Sequence, residues 1–568
     1  MRCDFFLGIP RGARRSGLPS IVSRPVDGLG TRPVLWHSTA TPCRAIAGQG
    51  FVLGFLFERV PSGEPAPRYL AIPPRRDLRA TARYLTAHYW GGYLAILWDR
   101  EAGSLAVLPD PSGLLPVFKA DKEDGFVLTS NPSTLGAPVD FGAVGTHLLR
   151  PELRRRRTCL EGVEELVPGM LAYLPRGSGS DCLIWDPESF FPRRDAPGIA
   201  EAAEELRDRS VSVMRSWSGV LGKAGVATSG GVDSSLVCAA LAQAGASFEC
   251  INVATSDPSG DERGYAAAVA GKLGVGCRVR GYDPDLFDPA RSASLGLPRP
   301  ARRSFLMVLD RVLDDAMREI GASIVFDGNN GDNLFCYLHS SAPVFDRLCA
   351  YGPGIGALRT LLDMCRITGC SVPTMLAAVG RRVLPRAPVD PWPAETSLLS
   401  ADVRVAAPEP LVDRLHPGKR IRSGKDDHLR LLMRAQNHIH GLTGPLWRFS
   451  PLASQPLVEF CLGVPSWVWC HGGRNRAPAR AAFARELPAS IVGRTSKAGP
   501  DSFIRAAFAR NRAAIRERLL DGLLAANGLI DHDAVEKAVA VDEVTDIAIV
   551  DRLLDLLEAE NWSRSWCS

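Results

Sequence analysis

The 568-residue sequence carries fourteen cysteines, yet it has no Cys-x-x-Cys pair and no His/Cys cluster at zinc-ligand spacing. That argues against both a zinc site and a disulfide framework. Cys238, Cys250 and Cys461 lie in apolar stretches, where a thiol behaves as a small hydrophobe. No apolar run approaches the length of a membrane span, and the six-residue run before Arg11 is too short for a secretory signal. Net charge is scarce as well. At +5, with basic and acidic residues interspersed, it points to neither nucleic acid nor a membrane surface as partner. The one dense basic run, Arg154 to Arg157, reads as a solvated helix end. Internal repeats and low-complexity tracts are absent. The expected setting is a reducing cytoplasm. At this length, and with an ordinary 46% hydrophobic and 23% charged residues, two or more domains are expected.

The chain is organised around Val226-Ala227-Thr228-Ser229-Gly230-Gly231-Val232-Asp233-Ser234-Ser235. The apolar run ending at Thr228 reads as a buried strand, and Ser234 to Ala244 as a helix without Gly or Pro. The turn between them lets backbone approach a ligand closely. The helix N-terminus that follows offers N–H groups and a positive dipole end to an anion, best read as a phosphate. The common phosphate loop carries a Lys; here an Asp stands mid-loop instead. A carboxylate repels phosphates unless a divalent cation bridges them, and Mg²⁺ suits that role. The stretch looks like the pyrophosphate loop of enzymes that split ATP between the α- and β-phosphates.

Residues 1–190 alternate short apolar runs (Phe51–Phe57, Tyr93–Trp98, Leu105–Leu108, Phe126–Leu128) with Gly, Pro and Asp, which predicts a β-rich sandwich domain. A linker around Phe190–Pro197 leads to a second domain, 198–568, in which strands Ala224–Thr228, Phe248–Ala254 and Ile324–Phe326 alternate with helical stretches. That alternation predicts an α/β fold with a parallel sheet, and a ligand beyond the carboxyl ends of its strands. Beyond residue 340 the chain reads as mostly helical, with a Pro-rich break near Pro385–Pro393. The third strand runs into Asp327-Gly328-Asn329-Asn330-Gly331-Asp332. Asp332 either shares a Mg²⁺ with Asp233 or caps a helix. Asp261 and Glu262 either cap the following helix or contact nucleotide and metal.

With these loops in hand, the chain resembles the asparagine synthetase family over nearly its whole length. Trp98-Asp99, Asp110-Pro111-Ser112-Gly113-Leu114-Leu115-Pro116, Thr158–Val163 and Pro168-Gly169 look like that family's glutaminase-type domain. Ser229–Ser235, Asp261-Glu262 with Tyr265-Ala266, Gly328–Asp332 and Arg494-Thr495-Ser496-Lys497 look like its ATP-pyrophosphatase domain. The family's glutaminase uses a cysteine exposed by Met removal, with its own α-amine as base. Arg2 stands there in this chain, with Cys3 one residue too deep, so no glutamine hydrolysis is expected. Asparagine synthetases also carry Glu where this chain has Asn329 and Asn333. Within the family, Pro451–Glu459, Gly331–Cys336 and Gly472-Gly473-Arg474 with Ala479–Phe483 are similar to lasso-peptide cyclases, which lack the nucleophile. β-Lactam synthetases lack it too, but place a Tyr at the position of Asn329.

The resemblance implies ATP and Mg²⁺ as cofactors. It implies nucleotide binding by Ala227, Ser229, Gly230, Gly231, Asp233 and Ser234, with backbone at Val253 and Asp327-Gly328 flanking the nucleotide. It assigns metal binding to Asp233 and Asp332, and to Lys497 the role of neutralising the tetrahedral intermediate; without the match, Lys497 would read as a solvated surface lysine. The implied partners are a precursor (core) peptide and the leader peptidase and leader-recognition protein of the same pathway. Residues 340–445 are the candidate wall of a peptide cavity, with Tyr337, Phe345, Tyr351, Trp392, His438 and His440 as candidate lining. A catalytically dead scaffold that only binds the peptide is the non-enzyme alternative; the intact loops weigh against it.

Overall fold

The computed structural model describes residues 5–567 apart from 9–20, 26–33, 39–40, 47, 60–68, 71–76, 100–103, 124, 155, 175–178, 193–195, 256–259, 323, 384–391, 406–422, 437–447, 496–500 and 541–545. Arg2, Cys3, His438, His440, Lys497 and most of the Pro-rich break lie outside the described residues.

In the N-terminal region two sheets face one another. One runs in the order Val163–Glu165, Phe118–Lys122, Gly125–Thr129, Phe5–Gly8, Val34–Ser38, Ile21–Pro25. The other is centred on Ser104–Pro109, Tyr89–Asp99 and Gly50–Glu58. The pairings are antiparallel, except that Cys43–Ile46 and Tyr69–Leu70 run parallel. The central strands look uniformly apolar because both faces are covered. Trp90, Leu94 and Ile96 point into the core between the sheets, and Tyr93, Ala95 and Leu97 point under the helix Leu78–His88. That helix went unread in the sequence. Asp77 caps it, its side chain accepting the Ala80 N–H, and Leu78, Ala82 and Leu85 lie buried on its inner face. A second helix, Phe141–Leu149, was likewise hidden among short apolar runs.

The basic run corrects another expectation. Its described residues lie in no helix and are paired: Arg154 with buried Glu165, Arg156 with Glu164 and the half-exposed Arg157 with Asp140. Burial alone would push the Glu165 carboxyl up, but Arg154 and Arg299 outweigh it and hold the carboxyl below its usual range.

The C-terminal sheet is wholly parallel, in the order Cys277–Gly281, Phe248–Ala254, Ala224–Ala227, Ile324–Asp327, Arg448–Phe449. Its outermost strands were not read from the sequence. Cys-Arg-Val-Arg-Gly is charged because it lies at an edge, and Arg448-Phe449 is only two residues long. Helix Val232–Gln243 covers one face and helix Leu306–Ile320 the other, the latter packing Leu313, Ala316, Met317 and Ile320 on Ile251 and Val325. In chain order the strands stand 3-2-1-4-5. The direction of winding therefore reverses between Ala224–Ala227 and Ile324–Asp327, where such sheets open a crevice.

The two regions share a core. Trp217, on the long helix Ile199–Leu221, sits among Phe55, Phe57 and Trp90 of the antiparallel sheet and Phe449 of the parallel one, with ring centroids 4.9 Å from Phe57 and 4.5 Å from Phe449. Glu459, buried, accepts from Arg59 at 2.8 Å and from Trp185 Nε1 at 2.7 Å, which ties the stretch Pro451–Glu459 to the antiparallel sheets. The thirteen described cysteines form no disulfide. Among the described residues no helix is long and apolar enough to cross a membrane.

Candidate functional site

The two loops that flank the reversal point converge. Ala227 ends the strand Ala224–Ala227, and the helix Val232–Gln243 starts four residues beyond Thr228, with Gly231 at its N-cap and no side chain capping it. Its first-turn N–H groups therefore face the loop mouth, as an anion site requires. Thr228 is pinned from the next strand: its N–H donates to the Ile251 carbonyl at 2.8 Å, and its own carbonyl accepts from Asn252 Nδ2 at 2.9 Å. Inside the loop the Ser229 and Ser234 hydroxyls lie 3.3 Å apart, and Ser229 Oγ accepts the Gly231 N–H at 3.3 Å. Gly230 has φ +66°, and a Cβ there would strike Tyr265.

The second loop presses on the first. A Cβ on Gly328 would run into the backbone of Ser234, and one on Gly331 into the Asp233 carboxylate. These contacts give the glycines of Gly328–Gly331 a reason: they permit the approach. Asp332 occupies the four-residue helix Gly331–Leu334, whose N-cap is Asn330 at φ 70°. Asp332 is thus not itself the cap. Its carboxylate and that of Asp233 meet at one atom. Arg476 Nη1 donates to Asp233 Oδ2 at 2.8 Å and also to Asp332 Oδ1. Two carboxylates bridged by one cationic nitrogen are close enough to share one metal ion. Among the described residues no group of three or more His, Cys, Asp or Glu could hold a metal, so a cation here would complete its shell with phosphate oxygens, the habit of Mg²⁺. The donor set fits.

Asp327 behaves differently. Its carboxylate accepts from Ser450 Oγ and Arg448 Nε, each at 2.6 Å, from the Asn329 N–H at 3.0 Å and from Asn329 Nδ2 at 2.9 Å. The side chain is spent on holding the loop, which leaves only backbone at Asp327-Gly328 for a ligand to use. Val253 lies on the extension of Phe248–Ala254 past its neighbour, half-buried and paired with Arg280. Asp261 accepts the Arg263 N–H at 3.1 Å and also pairs with the Arg263 side chain, whose hydrogen bonds hold the carboxyl below its usual range. Glu262 pairs with Arg494 at 2.7 Å, and Arg494 donates to the Gly230 carbonyl at 3.0 Å while stacking over Tyr265 at 3.9 Å. Arg494 thereby ties the Gly230 loop to the segment Glu262–Tyr265.

Sequence reading assigned no role to Arg476, Arg480 or Arg494. Arg480 lies on the short helix Ala477–Ala482, and Arg476 is its N-cap, in a left-handed conformation that no sequence spacing signals. Arg480 is buried and donates to the Asn475 and Val492 carbonyls at 2.9 and 2.8 Å. Burial, with Arg476 beside it, pushes its pKa down to about 10. Three guanidiniums around one loop mouth suit a polyanion. Of the candidate lining residues, Tyr337 lies under the Arg476 guanidinium at 5.1 Å, Trp392 is buried in a small core with Leu153 and Leu429, and Tyr351 is exposed.

A family model described as asparagine synthase matches residues 221–398 and 440–564, more than half of the chain. No curated protein matches it. The matched segments contain both converging loops and Arg476, Arg480 and Arg494. The chain belongs to the asparagine synthase family, whose members are ATP-dependent amide-forming ligases.

Proposed function

We propose that this ligase closes a macrolactam ring in a peptide: it adenylates an Asp or Glu side chain of a leader-free core peptide and joins it to the peptide's N-terminal amine, as lasso-peptide cyclases do. The observation that carries the reading is Asn329. Its backbone and side-chain nitrogens both donate to Asp327. A Glu there would set a second carboxylate against the buried one. With Asn329 and Asn333 neutral, the loop offers no acidic pair to fix the ammonium of a small amino acid, and a peptide held over a larger surface is the better substrate.

In this reading the substrate carboxylate oxygen attacks the α-phosphorus of ATP and pyrophosphate leaves. The amine then attacks the acyl-adenylate carbonyl, loses a proton, and AMP leaves. Ser229, Ser234 and the N–H groups of the Val232–Gln243 helix hold the leaving phosphates. Arg476 and Arg480 supply positive charge at the same mouth. Asp233 and Asp332 would hold Mg²⁺, which would supply charge neutralisation on the phosphates. Lys497 steadies the oxyanion of the second step. Ordering a threaded peptide costs about 1–2 kcal/mol per residue in backbone entropy, so a large contact surface is needed. The helices Ala342–Tyr351, Ile355–Thr368 and Val372–Val383 expose Tyr351, Ile355, Leu358 and Leu376, apolar area suited to it. A core peptide, a leader peptidase and a leader-recognition protein are the partners this reading requires.

The test is mass spectrometry of a leader-free lasso-type core peptide incubated with the protein, ATP and Mg²⁺. Loss of one water with matched AMP release supports cyclisation. Formation of asparagine from aspartate with glutamine or ammonia, and no change in peptide mass, replaces this reading with that of an asparagine synthetase.

A further inference from the structure

The short helix bearing Asp332 is held from behind by a buried pair that the chemistry above does not use. His428 is fully buried on the helix Gly424–Gln436, and its Nε2 lies 2.8 Å from the Leu334 carbonyl, the last residue of Gly331–Leu334. Its Nδ1 lies 3.2 Å from Nζ of Lys425, one turn earlier on the same helix and also buried. An ammonium can only donate, so Nδ1 is the acceptor and the ring proton sits on Nε2, aimed at Leu334. Lys425 also donates to the Cys461 carbonyl at 3.1 Å. Among the described residues it has no carboxylate within ion-pair distance. Burial has pushed its pKa down to about 8.

Burying a cation against neutral acceptors is unfavourable, and an apolar side chain would serve packing better. What Lys425 provides that an apolar residue cannot is the imidazole tautomer. The same end of the helix is tied down by other contacts as well. The Gly424 N–H donates to Asp346 at 2.9 Å, and Asp427 pairs with Arg382 at 3.1 Å. The helix is thus fixed at its N-terminus and reaches the Asp332 turn through the His428 ring, which faces the backbone of Asn333 and Leu334.

We infer that Lys425 and His428 are positioning residues for the carboxylate pair: Lys425 sets the His428 tautomer, and His428 holds the Leu334 carbonyl so that Asp332 stays beside Asp233. The inference rests on the reading that these two carboxylates share the cation of the nucleotide. It predicts that the relay governs cation affinity rather than nucleotide affinity as such. Deleting a group that orients a metal ligand typically weakens metal binding about 10–100-fold.

The test needs no turnover. Mn²⁺ is titrated by electron paramagnetic resonance into the full chain with a non-hydrolysable ATP analogue, and analogue binding is measured separately in EDTA. His428→Leu and Lys425→Met should each raise the Mn²⁺ dissociation constant about tenfold or more and leave analogue binding in EDTA unchanged. His428→Gln, whose amide can still donate, should recover most of the loss. Wild-type Mn²⁺ affinity in folded Lys425→Met, which keeps the imidazole and its packing, overturns the proposal even if His428→Leu fails to fold. So does a lowered melting temperature with unchanged Mn²⁺ affinity, since that is a purely structural role. If the wild-type chain itself binds no Mn²⁺ with the analogue, the shared-cation reading falls first, and the relay with it.

Discussion

Two aspartates follow buried strands in Gly- and Ser-containing stretches, one in each half of the molecule, and they have opposite fates. Asp110, in Asp-Pro-Ser-Gly, is fully buried and saturated from within. It accepts from the N–H groups of Tyr93, Leu114 and Leu115 at 3.3, 3.2 and 3.1 Å, and from Ser112. Asp233, in Ser-Gly-Gly-Val-Asp, meets a second carboxylate across a guanidinium that arrives from 243 residues away. The first network is local and closed, and its product is a loop shape. The second joins distant segments through a cation, and a cation can be exchanged for another. A closed network argues for architecture, and an exchangeable one for a site. Asp327 stands between the two: its carboxylate is as fully used as that of Asp110, yet one of its donors is the Arg448 guanidinium from 121 residues away.

The sharpest way to break the comparison is to delete each carboxylate. Asp233→Ala or Asp332→Ala should reduce substrate-dependent pyrophosphate release to background, and the double variant should be no worse than either single one, because both act on one ion. The fold should survive. Asp110→Ala should do the reverse. It strands three backbone N–H groups, each worth about 1–3 kcal/mol when buried without a partner. Denaturant melts should register that loss, while nucleotide affinity of the remaining folded protein stays near wild type. If Asp110→Ala is stable and instead loses ATP binding, the distinction between closed and exchangeable networks fails.

A smaller effect separates the steps at the exchangeable site. Lys497→Ala should slow amide formation by about 10²–10³-fold, the usual result of deleting one oxyanion donor. Pyrophosphate–ATP exchange with the acyl substrate should fall much less. Parallel loss of both activities would instead assign Lys497 to the phosphates. Arg476 gives the next test. Arg476→Ala leaves two facing carboxylates without their bridge. Breaking a buried ion pair costs about 3–5 kcal/mol, and the half-exposed Asp332 argues for the low end. If a metal takes the place of the guanidinium, Mg²⁺ with an ATP analogue should raise the melting temperature of Arg476→Ala more than that of wild type.

What was legible in the sequence follows the same division. The parallel sheet could be read because its inner strands are apolar runs ending in Gly/Asp loops, and the glycines of Gly328–Gly331 hinted at the close approach now seen against Asp233. Arg476 could not be read, because its meaning comes from tertiary structure: a left-handed backbone at φ 55° turns it back onto loops encoded far upstream. The edge strands were missed for a physical reason as well, since an edge needs neither apolar faces nor length. Arg154 misled because charge density looks alike whether it meets solvent or a buried Glu165.

The smallest effect is a pH dependence in the closed network. Burial pushes the Asp110 carboxyl up to about 6, against the opposing pull of Ser112 and the backbone donors. In the unfolded chain it titrates near 4. Between about pH 4 and pH 6 the folded state holds a proton that the unfolded state has released, so stability falls as pH rises through that window and levels off above it. Two pKa units correspond to about 3 kcal/mol. Asp555, pushed up to about 7 by burial and by Asp551, has a slope of the same sign in an overlapping range. The quantity to measure is therefore the difference between wild type and Asp110→Asn, from urea melts at half-unit steps between pH 4 and pH 7. Asp110→Asn should be the less stable at pH 4, where the wild-type acid can both donate and accept, and the gap should narrow by pH 6.5 as the wild-type chain pays for its buried charge. A gap that does not change with pH would mean that Asp110 stays ionised throughout, its internal donors compensating fully for burial.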